Sequence, residues 1–371
     1  NSYRKYGNVF VASKNTKVGT FRLGDWYEYA STYRFQYPSD PRTWADTPLP
    51  NFKERFYTTS LQPFAEFEWR PAQRLTVTPG IKFVYYRMNL TQFADNGKTV
   101  GNLGGAPSTN HIANYPTWQP TFDVNYKLQN NWAVYWQVAT GSTIPPSSVF
   151  DTGGAQVGVL PTPTKSLTFQ TGTVYKTGRF TFDFDAYHIG FDSTYSSFTG
   201  PDALPHYFAG GSATTKGIEA ESTVILGGGL SLYLNGTEGA AKYDSTGLAI
   251  ANSPGNTETA GMTFQRSGFD LGFFNKRVSN MWNDNGAANQ AIRIDPFEIS
   301  NMYLNYTIKG ENRFNLTKLR LTLNNVFDQH YITGITAAST KSNAPDPGDL
   351  ISKLAGRSVT MSVTFGLSPS K

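Results

Sequence analysis

The residues that could carry out chemistry are few and stand far apart. The four histidines, His111, His188, His206 and His330, are scattered, and no pair has the spacing of metal ligands. The chain has no cysteine, which excludes disulfides, thiolate nucleophiles and cysteine-bound metals. The sequence therefore predicts neither a metal centre nor a catalytic triad, and it indicates no resident cofactor.

Two further candidates for chemistry also have structural explanations. Glu219 and Glu221 stand two residues apart, as a pair of catalytic carboxylates could. That spacing also places them on one face of a strand, and a hydrated interior explains such a face better. The glycines at 227–229 form no phosphate loop, because no Lys-Ser/Thr pair follows them. We therefore predict that the protein is not an enzyme.

The segment KLRLTLNN at 318–325 shows the pattern that must position any functional residue. Leu319, Leu321 and Leu323 fall on one face of an extended strand, and Lys318 and Arg320 fall on the other. About thirteen such segments follow residue 57, with one or two before it, and short links alternate with long ones. Each segment has about ten residues, which is enough to cross a bilayer as a tilted strand.

This rhythm predicts an all-β fold, a transmembrane antiparallel β-barrel with short periplasmic turns and long extracellular loops. A soluble propeller is the competing interpretation, but no blade-length repeat supports it. One face of the predicted strands carries charges that a dry core would exclude: Glu66, Lys82, Asp123, Lys127, Asp183, Asp185, Glu219, Glu221, Asp270, Lys318 and Arg320. Aromatic residues suited to the two interfacial girdles are Tyr85, Tyr86, Trp118, Trp132, Trp136, Tyr175 and Tyr243.

Stretches rich in polar residues, glycine and proline indicate where the loops lie. We predict long loops at about 89–116, 141–165 and 192–213. The alternation changes phase after Ala186, which indicates either a β-bulge or a strand that rises past the membrane. The net charge of +5 comes without a basic run, so the sequence predicts no nucleic-acid partner.

The residues NNVFD at 324–328, followed by Tyr331, resemble the "NxFD..Y" motif of TonB-dependent outer-membrane receptors. The matching landmark positions are Asn325, Phe327, Asp328 and Tyr331. Further segments resemble the family in the same order along the chain: 79–83 (PGIKF), 163–172 (PTKSLTFQTG), 215–221 (TKGIEAE), 297–308 and 356–358. Thr164 and Gln170 depart from the pattern, because the family has acidic residues there.

The resemblance implies a barrel of about 22 strands around an N-terminal plug. Residues 1–371 would then be a partial barrel domain with roughly the last 14–15 strands, lacking the plug, the TonB box and the first strands. The resemblance also implies that the protein resides in the bacterial outer membrane, in contact with the lipid and lipopolysaccharide of that membrane. The TonB–ExbB–ExbD complex would act through the missing N-terminal region.

The function implied by the resemblance is active uptake of a scarce ligand, for which we expect a ferric siderophore. Cobalamin, haem and oligosaccharide receptors share this barrel and remain alternatives, as does a passive porin-like pore. Aromatic and polar residues in the expected loops are the candidate ligand contacts: Tyr37, Trp44, Tyr115, Trp118, His206, Tyr207 and Trp282.

Overall fold

The structure, a computed structural model, describes residues 2–96, 109–145, 162–199, 205–283, 292–310, 316–336 and 345–366. Within these ranges no helix is long and apolar enough to span a membrane. Nineteen strands follow one another along the described chain, and fifteen of them form a single antiparallel sheet in chain order. The predicted all-β fold with 14–15 barrel strands is confirmed.

The strands of the large sheet are β1 (Ser2–Thr16), β2 (Gly19–Gln36), β3 (Phe52–Ala72), β4 (Leu75–Gln92), β5 (Thr109–Gln129), β6 (Trp132–Thr143), β7 (Thr164–Lys176), β8 (Phe180–Thr199), β9 (Pro205–Gly227), β10 (Leu230–Tyr243), β11 (Asn256–Arg266), β12 (Phe269–Val278), β15 (Phe297–Lys309), β16 (Leu316–Asn324) and β19 (Ser358–Gly366). Two small hairpins lie in the connections: β13 (Met281–Trp282) with β14 (Arg293–Ile294), and β17 (Ile332–Thr336) with β18 (Leu350–Lys353).

The two ends of the sheet differ in how the strands are joined. At one end, the short-turn end, links such as 130–131 and 228–229 contain only two residues. Gly228 and Gly229 have φ angles of 63° and 97°, which glycine adopts without strain in so tight a turn. At the opposite, long-connection end, the links include 37–51 and 244–255. The predicted alternation of short and long links is therefore present.

The strand registers carry the alternation from one strand to the next. Tyr306, Leu319 and Val363 lie side by side on one face of the sheet, while Asn305 and Arg320 lie side by side on the other. We call these faces the apolar wall and the polar wall. The predicted charged residues all share the parity of the polar wall, because paired residues in neighbouring strands point the same way.

Several predicted boundaries are wrong for one reason. The expected loop at 89–116 is partly strand, since β4 runs to Gln92 and β5 begins at Thr109; the expected loop at 192–213 likewise contains the ends of β8 and β9. The strands extend past the apolar band, where the face that continues the apolar wall carries polar residues such as Arg87, Asn89 and Thr91. The backbone ladder continues there because its hydrogen bonds do not depend on apolar side chains.

The phase change after Ala186 is not a bulge. The register between β7 and β8 is unbroken from Lys176↔Thr181 to Ser166↔Phe191. Irregular pairing begins only near Thr194, between β8 and β9. The strand simply continues, and apolar residues appear on its polar-wall side near the long-connection end.

Two of the seven girdle residues are also on the wrong face. Tyr85 and Tyr86 are consecutive, so only one of them can lie on the apolar wall. Tyr85 lies there, because it is paired with Leu61. Tyr86 packs instead against a buried cluster on the polar wall. Tyr243 has polar-wall parity and is buried, with 7% of its surface exposed.

The described sheet has two open edges. β1 pairs only with β2, and β19 pairs only with β16, so no β1–β19 pairing closes the sheet within the described ranges. Almost every residue of both edge strands is exposed. Unpaired strand edges of this length are ordinarily covered in native proteins.

Candidate functional site

The landmark segment that follows β16 forms a hydrogen-bonded staple. Asn325 is 1% exposed and has a φ of 50°, a conformation that asparagine tolerates better than most residues. Its Nδ2 donates to the carbonyl oxygens of Gln329 and Ala355, each at 2.9 Å. Its Oδ1 accepts from the Gln329 backbone N–H at 2.8 Å, and its own N–H donates to Asn301 Oδ1 at 3.0 Å. Asn325 thus ties the end of β16 to β15 through its backbone N–H, and to the approach to β19 through its side chain.

Asp328 completes the staple from the other side of the turn. Its Oδ1 accepts from the backbone N–H of Arg357 at 2.8 Å, just before β19 begins. This hydrogen bond, together with the nearby charges of His330 and Arg357, lowers the pKa of the Asp328 carboxyl below its ordinary value. Tyr331 follows, and its carbonyl oxygen accepts from the Leu354 N–H at 2.8 Å.

Phe327 lies on the opposite side of the turn from these hydrogen bonds. Its side chain is 60% exposed and meets Phe273 of β12 edge-on, with the ring centroids 6.3 Å apart. Phe273 belongs to the apolar wall, so Phe327 extends that wall where the strand ends. The landmark segment therefore joins β15, β16 and the approach to β19 by hydrogen bonds, and it extends the apolar wall through Phe327.

Two rows of carboxylates form the most distinctive electrostatic feature of the polar wall. Asp183 is paired directly with Glu221, and Asp185 with Glu219, across the β8–β9 ladder. Like charges in directly opposed positions destabilise a sheet. Oδ1 of Asp183 and Oδ1 of Asp185 are both buried without a hydrogen-bond partner in the described chain. No salt bridge among the described residues neutralises these rows.

Tyrosine side chains provide the partners that the carboxylate rows do have. The Tyr233 hydroxyl donates to Glu221 at 3.0 Å, and the Tyr135 hydroxyl lies 3.5 Å from Asp185 Oδ2. The Tyr135 ring lies flat across Gly172, where an added β-carbon would sit 2.6 Å from its hydroxyl oxygen.

An apolar cluster occupies the polar wall at the long-connection end. Phe56, Met88, Leu90, Ala113 and Tyr115 are at most 8% exposed and pack together across β3, β4 and β5. Apolar residues on an otherwise charged wall form the kind of surface that binds an organic ligand or is covered by a loop.

An ion pair borders this cluster. Arg34 Nη2 lies 3.4 Å from Glu54 Oε1, and Glu54 is 2% exposed. The Arg34 guanidinium also lies over the ring of Phe56, 6.0 Å from its centroid. The sequence pattern did not single out this pair, because nothing in it indicated that 34 and 54 are paired across β2 and β3.

Among the candidate ligand contacts whose side chains the structure describes, only Tyr115 lies in this region. Tyr115 is part of the apolar cluster and is 8% exposed. Tyr37 and Trp44 lie in the 37–51 connection, where Tyr37 meets Phe35 edge-on at 6.0 Å and Trp44 is 83% exposed. Their role as ligand contacts stays a prediction.

The remaining candidates lie elsewhere. Trp118 is on the apolar wall, 63% exposed, with its ring centroid 4.7 Å from that of Phe83, so it belongs to the girdle. Trp282 lies in β13, and its carbonyl oxygen accepts from the Asn252 N–H at 2.8 Å. His206 and Tyr207 contribute backbone to β9, but their side chains lie outside the described residues. In the described ranges, no three His, Asp or Glu side chains gather as a metal site.

Comparisons with known proteins agree on one family. The family described as "TonB dependent receptor-like, beta-barrel" matches residues 1–326. Searching curated proteins gave no match.

Solved structures with the same fold include three transport proteins. The ferric yersiniabactin uptake receptor FyuA from Yersinia pestis is 15% identical, with a TM-score of 0.71 over 97% of this chain and 54% of its own. The ferric citrate transporter FecA in its unliganded form is 19% identical, with a TM-score of 0.71 over 97% and 53%. The copper transporter OprC is 15% identical, with a TM-score of 0.77 over 98% and 56%. This chain spans about half the length of each. It belongs to the β-barrel family of TonB-dependent receptors, which are transporters and not enzymes.

Proposed function

We propose that this chain is the larger part of the barrel wall of a receptor that imports a ferric siderophore by TonB-dependent transport. Family membership carries the proposal, since receptors of this family take up scarce ligands and reside in the outer membrane of Gram-negative bacteria. The choice of an iron chelate is supported by the ferric yersiniabactin and ferric citrate receptors, which share the fold.

A bare copper ion is the second candidate, because the copper transporter also shares the fold. Copper(I) prefers soft cysteine and methionine ligands, and the sequence has no cysteine and only five methionines. Met88 is 2% exposed inside the apolar cluster, and Met262 and Met361 lie on the apolar wall. The donor set of the described wall therefore favours a ligand that arrives with its metal already chelated.

The open edges of the sheet support a partial barrel. A barrel of about 22 strands needs about seven more than the fifteen described, and these would pair with β1 and β19. We propose that further chain of the same receptor supplies them together with a plug inside the barrel. The apolar wall then faces lipid, and the polar wall faces the plug and the ligand.

The carboxylate rows give the plug a specific contact. Four acidic side chains, Asp183, Asp185, Glu219 and Glu221, face one another without a cationic partner in the described wall. A positively charged surface of the plug would relieve their mutual repulsion. We expect this contact to weaken when the TonB–ExbB–ExbD complex displaces the plug.

Ligand identity is tested in cells that lack their own siderophore receptors and express the full-length receptor. We expect accumulation of radioactive iron supplied as one of a panel of ferric siderophores, and no accumulation of radioactive copper or cobalamin. Copper accumulation without iron accumulation would replace the first proposal with the second.

The passive-pore alternative has its own test. The purified full-length receptor in planar bilayers should show no stable open conductance, because a plug closes the barrel. If the receptor conducted ions continuously without added denaturant, the passive pore would be favoured over the plugged receptor.

A further inference from the structure

The carboxylate rows concentrate negative charge in a small part of the polar wall. Asp183 and Asp185 are two positions apart on β8, and Glu221 and Glu219 are their direct partners on β9. Side chains paired across a ladder are about 5 Å apart at their β-carbons, and alternate residues of one strand are about 7 Å apart. Four carboxylates therefore lie within a patch of about 5 by 7 Å.

The surrounding wall offers these carboxylates no compensating charge. On the polar wall of β6 to β11 in the described chain, the only lysine or arginine is Lys176. Lys176 ends β7 beside a short turn, opposite Thr181, and it forms no salt bridge among the described residues. The partners of the glutamates on β10, Asn235 and Thr237, are uncharged. The negative charge of the patch is therefore uncompensated within this part of the wall.

One carboxylate of the rows is buried without its full set of donors. Asp185 is 9% exposed, and its Oδ1 has no hydrogen-bond partner in the described chain. Its Oδ2 lies 3.5 Å from the Tyr135 hydroxyl, which is long for an O–H···O hydrogen bond. Buried carboxylate oxygens ordinarily have donors or a cation beside them. The missing partner must come from something that enters the barrel, such as the plug when it is in place or a cargo when the plug is displaced.

The height of the rows places them along the route of any cargo. β8 leaves the short-turn end at Phe180, so Asp183 and Asp185 lie about 10 and 16 Å along the strand. With a tilt of about 40°, these distances correspond to heights of about 8 and 13 Å within an apolar band about 25 Å tall. The rows thus reach the middle of the wall, where the protein surrounds whatever passes through the barrel.

We propose that the carboxylate rows make the opened passage selective for cargo whose net charge is zero or positive. Carboxylates that line an aqueous passage attract cations and repel anions. The inference rests on the proposed import of a ferric siderophore and narrows its chemical class. Hydroxamate groups together balance the charge of Fe³⁺, and an amine tail adds positive charge, whereas catecholate and carboxylate chelates remain anionic. The cargo is therefore a chelate of the hydroxamate type.

The test measures the ion selectivity of the full-length receptor in planar bilayers, in urea that unfolds the plug while the barrel stays folded. The reversal potential across a KCl gradient from about 10 to about 100 mM gives the ratio of K⁺ to Cl⁻ permeability, at a salt concentration where screening is weak. This potential does not depend on how many channels are open, so a difference in plug release between variants does not affect it. We expect K⁺ to be the more permeant ion.

Neutral amides in place of the carboxylates should reduce this selectivity. The double variant Glu219→Gln/Glu221→Gln should lower the K⁺/Cl⁻ permeability ratio about 1.7-fold, and the quadruple variant D183N/D185N/E219Q/E221Q should lower it about threefold. Both variants are expected to fold, because they remove repulsion between directly opposed side chains. In about 1 M KCl the difference from the unaltered receptor should fall below about 1.3-fold, because the Debye length is then only about 3 Å.

A matched control makes the same two substitutions on the opposite face of the sheet. Glu238 is paired with Ile218 and Glu258 with Gly236, so both glutamates have the parity of the apolar wall. Glu238→Gln/Glu258→Gln should therefore leave the permeability ratio within about 1.2-fold of the unaltered receptor. An equal fall in the control and in the double variant would overturn the proposal, as would an unchanged ratio in the quadruple variant.

A second arm uses the cargo itself. In cells that express the full-length receptor, the ferric siderophores that accumulate should have a net charge of zero or above. Accumulation of a strongly anionic catecholate chelate by the unaltered receptor would overturn the proposal. Accumulation of no chelate at all would refute the proposed import, and the permeability ratio would still decide whether the rows confer selectivity.

Discussion

Substitution of Asn325 tests whether the staple after β16 holds the end of the barrel wall together. Its side chain makes three hydrogen bonds, two to the carbonyl oxygens of Gln329 and Ala355 and one from the Gln329 N–H, and it is 1% exposed. At about 0.5–1.5 kcal/mol each, these bonds sum to roughly 2–4 kcal/mol. The φ of 50° adds about 1 kcal/mol when alanine replaces asparagine, but not when glycine does.

Three variants separate these contributions. We expect Asn325→Gly to lower the free energy of unfolding by roughly 2–4 kcal/mol, and Asn325→Ala to lower it by a similar or slightly larger amount. Asn325→Asp should be the most destabilised at neutral pH, because a carboxylate would then face two carbonyl oxygens. Protonation at acidic pH should partly restore that variant, since a protonated acid can donate one hydrogen bond.

The assay is urea unfolding of the full-length receptor in detergent, followed by tryptophan fluorescence. Asn324→Ala is the matched control, since Asn324 is exposed and its side chain donates only one bond, to Ser358 Oγ at 3.2 Å. It should change stability by no more than about 0.5 kcal/mol. Equal losses for the Asn324 and Asn325 variants would refute the staple, as would an Asn325→Ala protein with unaltered stability.

Three other perturbations probe neighbouring features of the wall. Phe327→Asp should reduce the amount of receptor assembled in the outer membrane without changing ligand preference, because it puts a charge on the apolar wall beside Phe273; normal membrane levels with altered uptake specificity would contradict this. Asp328 has a lowered pKa, so its stabilising contribution is complete above the ordinary carboxyl pKa and is lost as the pH falls through the lowered value. Asp328→Asn should therefore flatten the acid end of the stability–pH profile, and an unchanged profile would exclude the Arg357 contact as its source. Asp185→Asn should make the plug easier to release, seen as faster protease digestion of the plug with the barrel intact; unchanged digestion would argue against a cationic plug surface at these rows.

The alternation of side chains was enough to predict the sheet, because a strand with one lipid-facing wall must keep period two. The segment from Lys318 to Asn324 and the strand that pairs with it from Ser358 both show it clearly. Where the strands rise above the apolar band the pattern fades, which is why the start of β5 at Thr109 was expected to be loop. The hydrogen bonds that extend a ladder leave no trace in the side-chain pattern.

Features that depend on strand register could not be predicted from the sequence. Asp185 and Glu219 are 34 positions apart, and only the β8–β9 pairing shows that they oppose each other. Tyr33 and Arg55 likewise meet only through the β2–β3 pairing. The staple is intermediate: the motif marked Asn325 and Asp328, but their partners Ala355 and Arg357 come from a connection whose path the sequence does not specify.

Energy dependence of uptake tests most directly whether this wall belongs to an active transporter. Cells expressing the full-length receptor would be given a radioactive ferric siderophore that it binds, with and without a functional TonB protein, and with and without a protonophore. We expect accumulation above the external concentration only when TonB and the proton gradient are both present. Equal accumulation in cells without TonB would contradict TonB-dependent import and indicate passive entry through the barrel.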